Sequence, residues 1–252
     1  MPIPDDIREF IPGDIFDDND ILTHYWIKDG VILFRHYPIR GAHIPTFRFF
    51  LGGFARDKKH CYSYGCRLRG GNSETFRALN YCYATDGHFV WTIGGKVEGA
   101  DAETFAVCDD GARSFDSGGR CPTGYGKDKD RVYYYDFDGK PNWVRKATAN
   151  SFVSLNDACF GKDHQFVFCG AVTIPKAKVD HWKQIGGYYN KDDQRIYYFS
   201  QEIRDADYDS FEVIPTILDV QLAKDKDRFY ENGKRIDSET FTKGLDEYAA
   251  TL

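Results

Sequence analysis

The residues able to do chemistry are numerous but dispersed. Seven cysteines, Cys61, Cys66, Cys82, Cys108, Cys121, Cys159 and Cys169, form an odd set without the dense even spacing of a disulfide scaffold, which fits reduced thiols in a cytosol. Cys61 and Cys66 with His60 resemble half a zinc site, yet no second pair at ligand spacing completes it. Other cysteines fall in aromatic runs such as Phe166-Val167-Phe168-Cys169, where a thiol behaves as a small hydrophobe. The histidines (His24, His36, His43, His60, His88, His164, His181) are scattered singly, and a catalytic imidazole needs a nucleophile or carboxylate partner. The pairs Asp128/Asp130, Asp136/Asp138 and Asp225/Asp227 raise calcium; that ion takes about six to eight oxygens and normally a distal Glu, so turn closure is the better reading. Gly94-Gly95-Lys96 and Gly124-Tyr125-Gly126-Lys127 look like phosphate cradles, but neither is followed by Ser or Thr, and both lie between strand-like runs. GxSxG, HExxH, P-loop and dinucleotide motifs are absent. The expectation is a protein without catalytic residues, metal or cofactor. Its rival is a hydrolase whose acid and base come from distant segments, such as an Asp and a remote His.

Charge and composition narrow the class. Of 252 residues, 33 are Lys or Arg and 39 Asp or Glu, a formal net charge of −6 that disfavours a phosphate-backbone partner. Asp5, Asp6, Glu9, Asp14, Asp17, Asp18 and Asp20 against Arg8 account for that excess within the first twenty residues, either as a solvated terminus or as an acidic lure for a basic partner. No apolar run approaches the ~18 residues of a membrane helix, and the opening MPIPDDIREF carries acids where a secretory peptide would be basic. A cytoplasmic protein without a membrane or nucleic-acid partner is expected. Aromatics at 16%, 24 glycines and one Met favour strands and tight turns.

The elements that would position these residues recur. A head with an Asp pair (Lys28-Asp29, Arg56-Asp57, Thr85-Asp86, Lys127-Asp128, Lys162-Asp163, Lys191-Asp192, Lys224-Asp225) is followed by a β-branched and aromatic run, then a polar tail ending in an aromatic. The closing aromatics are Phe47, Phe76, Phe105, Phe152, Trp182, Phe211 and Phe241, at steps of 29, 29, 47, 30, 29 and 30 residues. The long step holds an insertion within 106–124, with a few more residues between Asp136 and Pro141. In each unit Asp closes a turn with its Lys neighbour in solvent, the run Arg131 to Tyr135 or Arg195 to Phe199 is a strand, and Asn232-Gly233 or Gly94-Gly95 supplies positive φ for a hairpin. The closing aromatics are expected to be equivalent core anchors. A unit this small cannot bury its apolar face alone, so stacking builds the core.

The string Lys127 to Tyr134, its copy at 224–230 and the Gly-Ala-Asp-x-x-x-Phe tail at 99–105 resemble the DKNYY repeat family of bacterial proteins. The resemblance covers roughly residues 26–241, with the first and fifth copies degenerate. It implies a non-catalytic β-repeat scaffold and supplies no catalytic residues.

The expected fold is all-β: one domain over 1–252, with an acidic cap at 1–22, seven stacked two- to three-stranded units over 23–241 and a closing helix at 242–252. A solenoid-like or curved sheet array is favoured over a propeller, whose blades usually take ~40–45 residues. Ile7, Phe10 and Ile11 have helical spacing within 4–11, and Phe241, Leu245, Tyr248 and Leu252 within 238–252, with Ser238 as cap. An insertion into a regular array projects without packing duty, so Asp109, Asp110, Arg113, Phe115, Asp116 and Arg120 are the expected partner-binding residues, an aromatic anchor with a polar rim. Size, acidity and the missing catalytic signature are similar to those of immunity proteins, making a cognate toxin or secreted effector the expected partner; a carbohydrate- or other ligand-binding module is the alternative.

Overall fold

The computed structural model describes residues 9–12, 25–114, 119–137, 139–155, 159–215 and 221–250. Among the described residues its strands form seven successive antiparallel sheets in chain order, with a separate two-stranded hairpin inserted in the fourth. The first has three strands, Tyr25–Lys28, Val31–Phe34 and Tyr37–Pro38. Each later sheet has four, one more than the sequence suggested; the second comprises Arg48–Phe49, Phe54–Arg56, Cys61–Ser63 and Cys66–Leu68. The extra strand is the short stretch after each closing aromatic, two residues long except for Lys183–Gly186 after Trp182, too short to show a period. Sequence unit and structural sheet are thus offset: the aromatic ending one unit starts the next sheet.

A row of small residues explains how the aromatic docks. The second strand reads Phe54-Ala55-Arg56, Tyr83-Ala84-Thr85, Tyr125-Gly126-Lys127, Phe160-Gly161-Lys162, Tyr189-Asn190-Lys191 and Leu222-Ala223-Lys224, and all six central residues are buried. A Cβ on Gly161 would enter the Phe152 ring, and one on Gly126 the Phe105 ring. The closing aromatics are not equivalent. Phe47, Phe76, Phe152, Trp182 and Phe241 are buried, whereas Phe105 and Phe211 are half-buried.

Six clusters of buried side chains occur among the described residues, and each draws on two successive sheets. Phe160, Val167 and Ile174 of the fifth sheet, for example, pack with Trp182 and Tyr197, next along the chain. Burying one Phe is worth ~1.5–3 kcal/mol, so each cluster offsets the ordering cost of strands only two to four residues long. Buried tyrosines add directed bonds across the seams. The Tyr25 hydroxyl donates to Gly53 O at 2.8 Å and accepts from Gly65 N–H, while Tyr189 donates to Gln221 O and accepts from Gly233 N–H. Asn232 and Gly233 both have positive φ, as a two-residue hairpin turn requires.

The ends differ from each other. The helix Ser238–Ala249 closes the last sheet, stacking Phe241 on Phe229 with ring centres 4.5 Å apart. Its cap is Asp237, whose side chain accepts from Thr240 N–H, rather than Ser238. At the other end most of the expected 4–11 helix lies outside the described residues; Phe10 itself is extended and exchanges backbone hydrogen bonds with Phe49 at 2.8 and 3.0 Å. That bridge adds a strand-like contact beside the second sheet.

Candidate functional site

Six of the seven repeats are built around a buried aspartate, and its chemistry sets the frame for the insertion. Asp57 Oδ1 accepts from the N–H groups of Lys59 and His60 at 2.7 and 2.8 Å, and Oδ2 from Tyr62 O–H and His43 N–H at 2.7 and 2.9 Å. Asp128 repeats the pattern with Asp130, Arg131, Tyr133 and Asp101, and Asp192 with Gln194, Arg195, Tyr197 and Lys178. Burial alone would raise these carboxyls, but the converging backbone N–H donors outweigh it and hold Asp57, Asp128, Asp192 and Asp225 below the ordinary range. The Asp128 and Asp225 members of the Asp-x-Asp pairs are therefore committed to turn closure by donor groups; Asp138 lies outside the described residues. In the degenerate first copy Asp29 has a φ of 51° and is exposed in a two-residue turn.

The basic neighbour does more than face solvent. Lys127 Nζ donates to Ala149 O and Phe152 O at 3.0 Å each, and Arg56 reaches Ser73 O and Glu9. Glu9, one of the acids in the supposed lure, is thus held by Arg56; Asp5, Asp6, Asp14, Asp17, Asp18 and Asp20 lie outside the described residues. The suggested zinc half-site is not assembled: Cys61 is buried, with its thiol pushed up to about 12 mainly by burial, whereas Cys66 is exposed opposite Ser63.

The insertion is an extra hairpin, Ala112–Ser114 paired with Arg120–Pro122, placed between the first and second strands of the fourth sheet. It is mounted by its own residues. Asp109 is not a rim contact: its carboxylate accepts from Gly111 N–H, Tyr125 N–H and Ser154 Oγ–H at 3.1, 2.9 and 2.8 Å, and its carbonyl accepts from Asn80 Nδ2. Burial is the largest influence on it and pushes its pKa up to about 6 despite those donors. Asp110 accepts from Ala112 N–H and pairs with Arg120 at 3.2 Å, both side chains largely exposed. The Arg120 guanidinium lies 4.7 Å from the Tyr81 ring centre in the third repeat, and that of Arg113 lies 4.9 Å from Tyr188 in the sixth. Phe115 and Asp116, the supposed anchor and its neighbour, lie outside the described residues.

Asp110 and Arg120 are therefore brought together at the surface, while Asp109 and Arg113 fix the hairpin to the array. Tyr81, Tyr188 and Asn80 take part although sequence reasoning missed them. Tyr81 follows Asn80, whose Oδ1 accepts from the N–H groups of Cys82 and Tyr83 in an Asx-type turn; an Asn three residues before a strand aromatic was the available signal.

Seven short β-meanders whose described core clusters each span two successive sheets, one of them carrying a clamped hairpin, define a β-repeat protein. The chain matches the DKNYY family over residues 50–137 and again over 125–249, and it belongs to that family. No curated protein and no solved structure matches it.

Proposed function

We propose that this DKNYY-family chain is a non-catalytic scaffold that binds a protein partner, and that the partner is a cognate toxin or secreted effector which it neutralises in the cytoplasm. The observation that carries the reading is the mounted hairpin. It is the one interruption of the repeat longer than a few residues, and it is anchored to the third, fifth and sixth repeats through Asn80, Tyr81, Ser154 and Tyr188. A loop held on a rigid scaffold loses little freedom when it engages a partner. The buried repeat aspartates, the natural acid candidates for a hydrolase, are consumed by turn closure, which further favours a binding role.

The test is co-purification of the chain with the product of the neighbouring gene, followed by rescue of cells expressing that product. Arg120→Glu breaks both the exposed pair with Asp110 and the cation–π contact with Tyr81, each worth about 1 kcal/mol or less at such a site, so it should lower the melting temperature by a few degrees while weakening the complex by about 10-fold or more. Failure to rescue, with no stable partner recovered, would refute the toxin reading.

A further inference from the structure

Cys159 Sγ and Cys169 Sγ lie 3.3 Å apart, both residues partly buried, at the open end of the hairpin formed by Phe160–Lys162 and Val167–Cys169. We propose that these two cysteines form a reversible, redox-responsive cross-link that pins the open end of the fifth repeat's central hairpin, where it receives the Tyr125 hydroxyl of the fourth repeat. The inference is independent of the toxin reading.

The backbone around the pair is already held in register. Gly170 N–H donates to Cys159 O at 2.8 Å, and Phe160 stands opposite Cys169. A disulfide needs ~2.05 Å between sulfurs, so the side chains must close by a little over an ångström, within reach of a χ1 adjustment on strands already paired. The Tyr125 hydroxyl of the fourth repeat lies 2.8 Å from Cys159 O and 2.9 Å from Gly170 O, sharing its proton between the two carbonyls that the cross-link would hold. Tyr125 N–H in turn donates to Asp109, at the root of the inserted hairpin. Tyr125 thus links the pair's backbone to the root of the insertion.

Burial sets aside three of the other five thiols. Burial pushes the thiols of Cys61 and Cys108 up to about 12 and that of Cys82 well above its usual value, which withholds the reactive thiolate. The co-reactant is a small-molecule disulfide such as oxidised glutathione. One protein thiolate attacks it, forming a mixed disulfide and expelling one thiol; the second protein thiolate then attacks the mixed disulfide and expels the other. The two cysteines lose two electrons and two protons, and the reagent gains both as two thiols.

The test uses the full chain equilibrated in glutathione buffers of increasing oxidised fraction, quenched by alkylation and digested with trypsin. Cleavage after Lys162 separates the two cysteines, so the cross-link joins peptides 147–162 and 163–176 as a species two hydrogens lighter than their sum. The expected result is that this species appears before any other cross-link, is lost in Cys159→Ser and Cys169→Ser, and accompanies a melting temperature a few degrees higher in the wild type alone. Two separately alkylated or glutathionylated cysteines throughout would overturn the proposal. A cross-link that forms without raising the melting temperature would overturn the pinning role. Because the wild-type digest reads the bond directly, the result stands even if a serine variant folds poorly.

Discussion

A carboxylate that accepts two backbone N–H groups, a tyrosine hydroxyl and a donor from the preceding tail does the work of several ordinary turn residues. Asp128→Ala leaves those donors without an acceptor in a buried place and should cost about 3 kcal/mol or more, whereas Asp130→Ala, two residues along and exposed, should stay within ~0.5 kcal/mol; urea unfolding of the two variants checks the contrast. Because folding holds Asp57, Asp128, Asp192 and Asp225 below the ordinary carboxylate range, their contribution is complete above the unfolded value near ~4 and is lost as pH falls through the lower folded values. Asp109 has the opposite sign. Its folded value of about 6 means that stability is greatest below the unfolded value and is lost as pH rises towards 6, by up to roughly 3 kcal/mol. Melting curves of the wild type and Asp109→Asn should therefore converge, or cross in favour of the variant, between pH 4 and pH 7. Each Asp head was legible as a turn former, because Asp followed by polar residues before a β-branched run has few other uses. The four-donor geometry was not, since the tail donor comes from 14 to 27 residues upstream, as with His43 and Asp101.

At the level of the strand and its anchor, the seat matters as much as the ring placed on it. Gly161→Val puts two methyl groups where the Phe152 ring rests and should destabilise the chain by about 2–4 kcal/mol, while Phe152→Ala should cost ~3–5 kcal/mol by leaving a cavity between the fourth and fifth sheets. Phe211→Ala, at a half-buried position, should cost clearly less than Phe152→Ala; thermal melts of the pair would show whether the anchors differ as their burial does. The closing aromatics were visible in the sequence through their spacing alone. The seats were missed because Ala, Gly and Asn share no hydrophobicity, only small size, and the first strands, all but one of them two residues long, carry too little pattern to register as strands. Phe10 misled for a related reason: helical spacing of three apolar residues is also available to a chain that pairs once with a sheet edge.

Across the whole molecule, order depends on neighbours. Each described core cluster spans two successive sheets, so the last sheet relies on the sixth and on the closing helix. Deleting residues 238–252 uncovers Phe229 and Leu222, the latter packed against Gly244, and hydrogen exchange should then rise first in Leu222–Ile236 while the second and third sheets keep their protection. The seven-unit count and the place of the insertion were legible at this scale because a period of 29 or 30 residues repeats. What the insertion touches was not: Tyr188 meets Arg113 from two repeats away, and no local pattern encodes that distance.

The clamp made by that hairpin has a mechanical meaning. Pulled from its two ends, a row of sheets joined mainly to neighbours should lengthen in separate rips of about 30 residues, each releasing roughly 10 nm of chain. The fourth repeat is tied through Asp109 to Ser154, through Arg120 to Tyr81 and through Arg113 to Tyr188, so the third to sixth repeats should resist together and then let go in one longer event. The hairpin would act as a strap across the middle of the array, giving an otherwise modular chain one segment that carries load as a block.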